Sequence, residues 1–489
     1  MEHNEIYNTL KSICGERSVF ENQETKYVYG QLPAGFRAGT FDALVLPENA
    51  EQVQKIVAYA SEKLIPLTPT GAGLSLSDLT VPMYGGIVVD LRRMDKIIEV
   101  NKINRYVVIE AGVTVGHLLG YLNKKCPMLR PSVPDAPPTA TVCGNLLIYG
   151  SGHLSRYGPH SDMINELEVV LHNGKKMTLS SGMHGLEWYT RIPCPDLINL
   201  FTYWFGTTGI VTKLSVKLYP KHQVRDMQIF KIENPDSIPD IIRQITTTGL
   251  IEDVLFFSMI QKESRIPMTL LHLFLTGENQ EELSEKKEIF KEIFSGWIKK
   301  GKSVLPVDRN LLPEKFIEQQ LMEPKYGIDD AVDAKKGGGC GYIGGNFPIN
   351  SIPKFFHEGL RIAKKYDFFG PLYTIRNVGM GHSVIYNVMY PFNRADPASI
   401  EITKKAMEEA KEAIEHFGGI EWKAPYITQK KQLSKMPHGT QDLIKRIQDM
   451  MNPKRIFNRG NWDIWEQKAE RSEERRVGKE CRSRWSPYH

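Results

Sequence analysis

Two glycine-rich stretches constrain the fold of this chain more than any other feature. The first is Pro69-Thr-Gly-Ala-Gly-Leu-Ser75, which follows the apolar run Lys63-Leu-Ile-Pro-Leu-Thr68. The second extends from Pro138-Thr-Ala-Thr-Val-Cys-Gly-Asn145 through Tyr149-Gly-Ser-Gly152. Glycine-rich turns after strands expose consecutive backbone N–H groups, and such concave arrangements bind phosphate. Two of them on one chain suit a diphosphate held from two sides, and a bound dinucleotide is the simplest reason to have both.

Length and composition exclude several other classes of protein. The 489 residues are enough for two or more domains, and 41% hydrophobic and 24% charged residues are ordinary for a globular chain. The net charge is only +5, and the lack of a basic block before residue 470 argues against nucleic acid as a partner. The polar start Met1-Glu-His-Asn-Glu5 lacks the apolar core of a signal peptide. Since no apolar run reaches the ~18 residues of a membrane span, we expect a cytoplasmic protein.

The cysteines and the C-terminal tail offer no functional pattern. Six cysteines without CxxC spacing predict reduced thiols in a cytosolic protein. Residues 470–489 are charge-dense and aperiodic, which predicts a disordered or non-native tail, and Cys481 belongs to it.

Hydrophobic periodicity predicts an α+β segment over residues 35–222. A helix is expected to begin after Asn49, because Val53, Ile56 and Val57 recur at helical spacing behind this capping residue. A second, short helix is expected over residues 115–122. The turn Asn173-Gly174 predicts a hairpin. The strands expected are 41–46, 65–68, 86–91, 97–100, 106–111, 166–171, 176–180 and 209–218.

After Pro220 the pattern changes, so we place the main domain boundary near residue 222. Helices are expected over residues 241–251, 283–298, 400–416 and 443–451, and strands between residues 372 and 390. Residues 337–345 are very rich in glycine. The expected organisation is an N-terminal segment (1–34), a first domain (35–222), a second domain (223–440) and a C-terminal segment (441–465).

Taken in order, these motifs resemble the FAD-binding domain of the vanillyl-alcohol oxidase/p-cresol methylhydroxylase (PCMH) flavoproteins. The resemblance rests on an ordered set in which each motif alone is weak. The further pieces are Arg93-Met-Asp95, Glu110-Ala-Gly-Val113, Pro134-Asp-Ala-Pro137, Arg156-Tyr-Gly158 and Phe205-Gly-Thr-Thr-Gly-Ile-Val-Thr212. The C-terminal Asn452-Pro-Lys-Arg-Ile-Phe-Asn-Arg-Gly-Asn-Trp462 is similar to the segment of that family that returns to the flavin, with Arg459 in place of a common proline. The resemblance implies a two-subdomain FAD-binding domain with an α+β cap domain for substrate.

The same resemblance implies which residues touch FAD. Two loops would hold the diphosphate, and a third segment would lie along the flavin or adenosine edge. The first loop comprises Pro69, Thr70, Gly71, Ala72, Gly73, Leu74 and Ser75; the second contains Thr139, Thr141, Gly144 and Asn145; the third is Gly209, Ile210 and Val211.

We expect FAD to be bound without a covalent link. Some relatives tether the flavin through a histidine in the first loop, where this chain has Leu74, and vanillyl-alcohol oxidase uses a cap-domain histidine, where it has Gly339-Cys340-Gly341. Cys340 could bond the flavin, but a buried free thiol is the simpler interpretation.

The substrate residues depart from those of phenol-oxidising relatives. Those enzymes hold a phenolate with two tyrosines and an arginine, next to an acidic residue. Here Leu76 stands near one tyrosine, and Pro159 or His160 stands near the acid. Trp422 and Lys423 stand near the Tyr-Arg pair, so an aromatic face and a charge remain for a phenolate or a carboxylate.

Glycolate and D-lactate dehydrogenase flavoproteins are the other relatives suggested by the sequence. Their metal-binding histidine is replaced by Ile385, and their later Glu-His pair by Glu421-Trp422, so no metal is expected. His382 is a candidate base or a structural histidine. Arg376 is a candidate carboxylate anchor or a member of an ion pair.

Two functions from different classes therefore remain. The first is an FAD enzyme that removes hydride from a C–H bond next to oxygen, on an aromatic alcohol, a 4-alkylphenol or a 2-hydroxy acid. The second is an electron-transfer flavin subunit of a larger complex. Candidate partners are a small-molecule substrate, a second copy of the chain and an electron-accepting protein.

Overall fold

The computed structural model describes residues 3–30, 38–150, 152–262, 264–299, 304–323 and 338–463. The expected tail, Gly337 and the last two residues of the expected C-terminal segment lie outside these ranges. No helix among the described residues is long and apolar enough to cross a membrane.

Three sheets occupy the N-terminal half. In the first, two parallel neighbours flank Ile87–Asp90, and this arrangement sends the chain from Leu67–Thr70 into the first glycine loop. The second is antiparallel and includes the predicted hairpin, with Gly174 at φ 76°. Their strands, in spatial order, are Val19–Phe20, Ala43–Val45, Ile87–Asp90 and Leu67–Thr70; Ile97–Asn101, Tyr106–Glu110, Ile210–Lys217, Ile164–Val170 and Lys176–Thr178; and the pair Tyr219–Pro220 and Leu129–Arg130.

The predicted helices of this half are present, with small differences at their ends. Asn49 caps the helix Ala50–Lys63 as predicted, because its side chain accepts a hydrogen bond of 3.0 Å from the N–H of Gln52. The α-helices are His3–Cys14, Gln23–Gly30, Ala50–Lys63, Val115–Lys125, Val142–Leu147, Ile238–Thr247, Gln280–Lys299, Glu314–Leu321, Ile352–Lys365, Pro397–His416, Tyr426–Lys435 and His438–Met451.

An eight-stranded antiparallel sheet dominates the chain after residue 222. All of its described neighbours pair in the antiparallel sense. In spatial order the strands are Val304–Pro306, Val224–Ile232, Pro267–Gly277, Asp253–Ile260, Gly370–Val378, Ser383–Asn393, Gly338–Phe347 and Ile420–Trp422.

The glycine-rich stretch is a strand of this sheet, Gly338–Phe347. A Cβ atom on Gly341 would lie 2.6 Å from Thr403 Cγ2 and 2.8 Å from Met407 Sδ, both on the helix Pro397–His416. One on Gly345 would lie 2.9 Å from Ile414 Cγ2 of the same helix. The alternate glycines therefore let this helix pack directly on the strand backbone.

The opposite face of the eight-stranded sheet lies against the N-terminal half and carries buried charge. Arg376 donates hydrogen bonds to both oxygens of Asp135 in the first half, one of them at 2.9 Å, and forms an ion pair with Asp253 on the neighbouring strand. Arg376 is buried, and Asp253 is fully buried. The ion-pair interpretation of Arg376 is therefore the one observed, and its guanidinium is already neutralised.

A second group of charges joins the two halves nearby. Arg130 of the first half pairs with Glu252 at 3.3 Å and Glu323 at 2.5 Å, and Arg225 pairs with Glu252 at 2.7 Å. Burial would raise the pKa of Glu323, but the charges of Arg130 and His153 outweigh it and hold this pKa well below its usual range. One atom each of His153, Glu252 and Glu323 lie within 4.8 Å of one another, but the arginines already supply the positive charge there.

Replacing Arg376 by methionine should destabilise the protein strongly, because Asp135 and Asp253 would lose their common partner. Breaking a buried pair costs about 3–5 kcal/mol. The matched control is Arg361→Met, since the Arg361 side chain is 51% exposed in its pair with Glu358 and such pairs contribute about 0–1 kcal/mol. The measurement is the free energy of unfolding in urea. An equal loss of this free energy in both variants would contradict the assignment of Arg376 to a buried ion pair.

Candidate functional site

The first glycine loop presents unpaired backbone donors. It follows Leu67–Thr70, and the N–H groups of residues 71–75 make no hydrogen bond to any residue within the described ranges. Gly73 has φ 67°, and a Cβ atom there would meet nothing within 4 Å. The loop is therefore an open row of donors, which is the arrangement that holds a phosphate group.

The second loop touches the first. A Cβ atom on Gly71 would overlap the Thr141 side chain, and one on Gly144 would lie 2.8 Å from Thr141 Oγ1. Thr141 precedes the short helix Val142–Leu147 without capping it through its side chain; the Val142 N–H donates to Val113 O at 3.0 Å, while the N–H groups of Cys143 and Gly144 have no acceptor among the described residues. The two predicted diphosphate loops thus meet, and their donor sets fit the diphosphate of FAD.

The remaining predicted cofactor residues belong to the second loop and to the third segment, which begins at Gly209. Gly209 precedes the strand Ile210–Lys217, and a Cβ atom there would lie 2.8 Å from Val169 Cγ1. Thr139 is exposed beside the buried Thr141. The Asn145 amide oxygen accepts a hydrogen bond of 2.6 Å from His160 Nδ1, and the other ring nitrogen lies 2.7 Å from Ser132 Oγ. Burial lowers the pKa of His160 to about 4, so this ring is neutral.

The C-terminal segment returns to the first domain, as the resemblance implies. Leu67 donates its N–H to Ile456 O at 2.6 Å and accepts from Asn458 N–H at 2.7 Å. The Asn458 side chain also donates to Phe205 O at 2.5 Å. Arg459 is exposed, and its guanidinium lies 4.8 Å from the centre of the Tyr84 ring.

Trp422 and Lys423 lie together at the contact between the two halves. Trp422 ends the strand Ile420–Trp422, is paired with Gly344, and donates its indole N–H to Tyr149 O at 2.9 Å. Lys423 follows in the left-handed conformation, with φ 53°. Its ammonium nitrogen lies 4.0 Å from the centre of the Trp422 ring, which is within cation–π range.

The Lys423 ammonium group has no carboxylate partner among the residues that the structure describes. Burial alone lowers the pKa of this amine to about 8. A desolvated cation without a counter-ion is costly unless a ligand supplies the negative charge. Lys423 therefore contrasts with Arg376, whose charge two carboxylates neutralise.

Two polar residues that the sequence analysis missed share this face of the sheet. The Tyr342 ring centre lies 6.4 Å from that of Trp422, and burial, followed by the charge of Asp135, raises the pKa of Tyr342 well above its usual range. The Asn387 Oδ1 atom is buried and has no hydrogen-bond partner among the described residues. A Cβ atom on Gly344 would overlap this oxygen. The alternation of glycine with Cys340 and Tyr342 along the strand was the available sequence signal.

Aromatic rings from the N-terminal half complete the surroundings of Trp422. Tyr203 lies 5.3 Å from Tyr149 and 4.7 Å from Phe205, measured between ring centres. Trp462 is stacked on Phe205 at 6.1 Å.

The other two predicted substrate residues are not part of this group. His382 is exposed on the turn between Gly370–Val378 and Ser383–Asn393, several residues along the strand from Asn387, which lies beside Gly344 and Trp422. No hydrogen bond, ion pair or ring contact joins His382 to Trp422 or Lys423 in the described part of the chain. Cys340 is a buried free thiol, and burial raises its pKa to about 11.

A comparison with protein families matches residues 41–180 to the family described as FAD binding domain. This range contains both glycine loops. The chain contains a PCMH-type FAD-binding domain, and FAD is its cofactor. It is an FAD-dependent oxidoreductase.

Relatives with curated functions fall into two groups. The glycolate oxidase subunit GlcD of Bacillus subtilis is 25% identical over 93% of this chain and 96% of its own length. The flavoprotein subunit of 4-cresol dehydrogenase [hydroxylating] from Pseudomonas putida is 29% identical, over 46% of this chain and 44% of its own length.

Solved structures show the same fold over nearly the whole chain. p-Cresol methylhydroxylase with bound substrate superposes with a TM-score of 0.78 at 21% identity, covering 94% of this chain and 96% of that one. The 4-ethylphenol oxidase of Gulosibacter chungangensis, in complex with isoeugenol, gives a TM-score of 0.80 at 18% identity, with 94% and 97% covered.

Acid precipitation of the purified yellow protein should leave FAD in the supernatant. The reason is that Leu74 stands at one tether position and that the thiol at Cys340 stays protonated, with its pKa raised to about 11. The measurement is the absorbance spectrum of supernatant and pellet. Colour retained in the pellet would contradict the prediction and direct attention to Cys340.

Gly144→Val and Gly73→Val should each yield protein without FAD. The new side chain at residue 144 would press on Thr141, and a β-branched residue at residue 73 is strained at φ 67°. Gly120→Val is the control, because a Cβ atom there meets nothing within 4 Å. The ratio of flavin to protein absorbance reports the result, and a full flavin complement in either loop variant would show that the loop is wrongly assigned.

Proposed function

We propose that this chain oxidises a C–H bond next to oxygen on a 4-alkylphenol or aromatic alcohol, and that Lys423 binds the substrate's anionic oxygen. The observation that carries the proposal is the buried Lys423 ammonium group, which lies on the Trp422 ring without a carboxylate partner among the described residues. An unpaired cation on an aromatic face suits a flat, anionic ring better than a neutral substrate.

The surroundings of Lys423 support an aromatic substrate. The Tyr342 ring lies beside Trp422, the Tyr203 hydroxyl bonds to Glu421 and Lys423 on either side of it, and the Tyr203 ring is in edge contact with that of Tyr149. Aromatic side chains favour stacked or edge-to-face contacts with another ring. The fold match to a 4-ethylphenol oxidase and the 4-cresol dehydrogenase relative are consistent with this substrate class.

The residues of this chain would bind and orient the substrate, while FAD, when bound, supplies the hydride acceptor. Lys423 would favour the ionised form of a phenol substrate, whose oxygen can then donate electron density through the ring to the carbon that loses hydride. Tyr342 stays protonated because its pKa is raised, so its hydroxyl can donate a hydrogen bond but cannot act as a base. Asn387 offers a free amide oxygen to a substrate hydroxyl. The Asp135 carboxylate is paired with Arg376 and is therefore a poor base. This pairing favours a substrate whose oxidation needs no strong base at the reacting carbon.

A 2-hydroxy acid is the alternative substrate, and the nearly full-length match to a glycolate oxidase subunit favours it. Lys423 would then bind the carboxylate and Asn387 the hydroxyl. Arg376 would not contribute, since Asp135 and Asp253 already neutralise it.

An anaerobic substrate screen should separate the two classes. We expect 4-ethylphenol, 4-methylphenol or an aromatic alcohol to bleach the flavin of the isolated chain, because the pocket offers rings and one cation. Glycolate and D-lactate are the comparison set. Bleaching by the 2-hydroxy acids alone would favour the alternative, and no bleaching by any of them would favour a subunit that only transfers electrons.

Lys423→Met should weaken binding of the best anionic ligand by roughly tenfold or more, since a charge-assisted contact contributes about 1.5–3 kcal/mol. In the wild type, affinity should be full at pH 7 and fall as the pH rises through about 8, because the lowered pKa of Lys423 means that the ammonium form is lost there. Lys430→Met is the matched control, since Lys430 lies 4.7 Å from the Tyr426 ring centre outside this pocket. An unchanged affinity in Lys423→Met would refute the anchor.

His382→Ala decides the base hypothesis in the same assay. Because the His382 side chain is exposed on its turn, we expect turnover close to the wild-type rate. A loss of about 10²-fold or more, the size typical of a general base, would instead return His382 to the active site.

A further inference from the structure

The peptide segment that carries Lys423 is held by hydrogen bonds from the FAD-binding half. The Tyr203 hydroxyl donates to Glu421 O at 3.2 Å and accepts from the N–H of Lys423 at 3.1 Å. Ser77, which follows the first glycine loop, donates its hydroxyl to Lys423 O at 2.8 Å. Tyr203 therefore bridges the residues on both sides of Trp422.

This bridge spans a change in backbone direction. Adjacent side chains of an extended strand point to opposite faces, so Lys423 would normally point away from the Trp422 ring. The left-handed conformation of Lys423, with φ 53°, places its ammonium nitrogen 4.0 Å from the centre of that ring instead. Such a conformation is unfavourable for a residue with a side chain and persists only where its surroundings hold it.

Tyr203 is itself firmly placed. Its backbone N–H donates to Leu147 O at 2.6 Å, and its carbonyl accepts from the Trp462 indole at 2.8 Å. Its own backbone is left-handed, with φ 64°. Burial raises the pKa of Tyr203 to about 12, so the hydroxyl keeps its proton and can donate and accept together.

We propose that Tyr203 is a positioning residue, which holds Lys423 in the conformation that presents its ammonium group to an anionic substrate. The inference rests on the proposed function of Lys423. It adds that Tyr203, a residue of the FAD-binding half, holds Lys423 in the conformation that this function needs. Tyr203 acts through Lys423 and needs no contact with the substrate.

A double-mutant cycle on the holoenzyme tests this, with benzoate as the probe and the flavin absorbance as the signal. Tyr203→Phe keeps the ring and removes only the hydroxyl. We expect it to raise the Kd of benzoate roughly fivefold, the effect of about one lost hydrogen bond. We expect no further increase when it is added to Lys423→Met, because coupled residues are non-additive. FAD content should stay at the wild-type ratio.

A second readout is the pH dependence of benzoate affinity. Removing the hydroxyl should let water reach Lys423, so the decline in affinity should move to a higher pH than in the wild type. Tyr366→Phe is the matched control, since its hydroxyl donates to Glu409 at 2.6 Å on the helical side of the cap sheet, and it should change neither readout.

Three results would overturn the proposal. Equal increases in Kd on the wild-type and Lys423→Met backgrounds would show that Tyr203 acts independently of Lys423. Loss of FAD from Tyr203→Phe would show that the hydroxyl serves the cofactor. Wild-type benzoate affinity in Lys423→Met would remove the anchor itself and with it the proposed function, whereas the first two results leave that anchor intact.

Discussion

The buried contact of Arg376 with Asp135 and Asp253 is the interaction on which the rest of the site depends. Asp135 belongs to the FAD-binding half, while Arg376 and Asp253 lie on adjacent strands of the cap sheet. A buried charge without its partner is costly, so neither half can keep these groups buried unless the two are docked in this register. Docking places the strands that carry Tyr342, Asn387 and Trp422 opposite the loop that contains Tyr149. The group of residues around Trp422 is therefore formed where the two halves meet, and neither half contains it alone.

The electrostatics of the contact between the two halves also distinguish Lys423 from Arg376 and Arg130. Arg376 and Arg130 are each paired with two carboxylates, so the charges of these two buried guanidinium groups are neutralised within the protein. The Lys423 ammonium group has only the face of the Trp422 ring as a described partner. Because an unpaired, desolvated charge is unfavourable, our proposal assigns to this cation the binding of a negatively charged substrate group. Discrimination between a phenolate and a carboxylate then falls to the shape of the surrounding rings and to Asn387.

The sequence predicts local structure well where one residue type decides it. Asn49 caps its helix as predicted, and the Asn173-Gly174 turn forms the predicted hairpin. Both follow from short-range chemistry. The site is less accessible to such reasoning. Sequence alone does not reveal that His382 is exposed on the turn of a hairpin, nor which of two roles Arg376 has, because both depend on register and on contacts between distant segments.

Backbone strain at the contact between the two halves indicates where side chains matter most. Tyr149, Tyr203 and Lys423 all have positive φ angles, of 54°, 64° and 53°. Glycine would adopt these conformations at lower cost, as it does at residue 73 in the cofactor loop. Two of these residues act through their side chains: the Tyr203 hydroxyl bonds to the backbone of Glu421 and Lys423, and the Lys423 ammonium group lies on the Trp422 ring, whereas Tyr149 contributes its backbone carbonyl to the Trp422 indole. In the glycine loops the donors are backbone N–H groups, whereas at the contact between the two halves the left-handed backbone sets the direction of side chains, and our proposal places substrate recognition there.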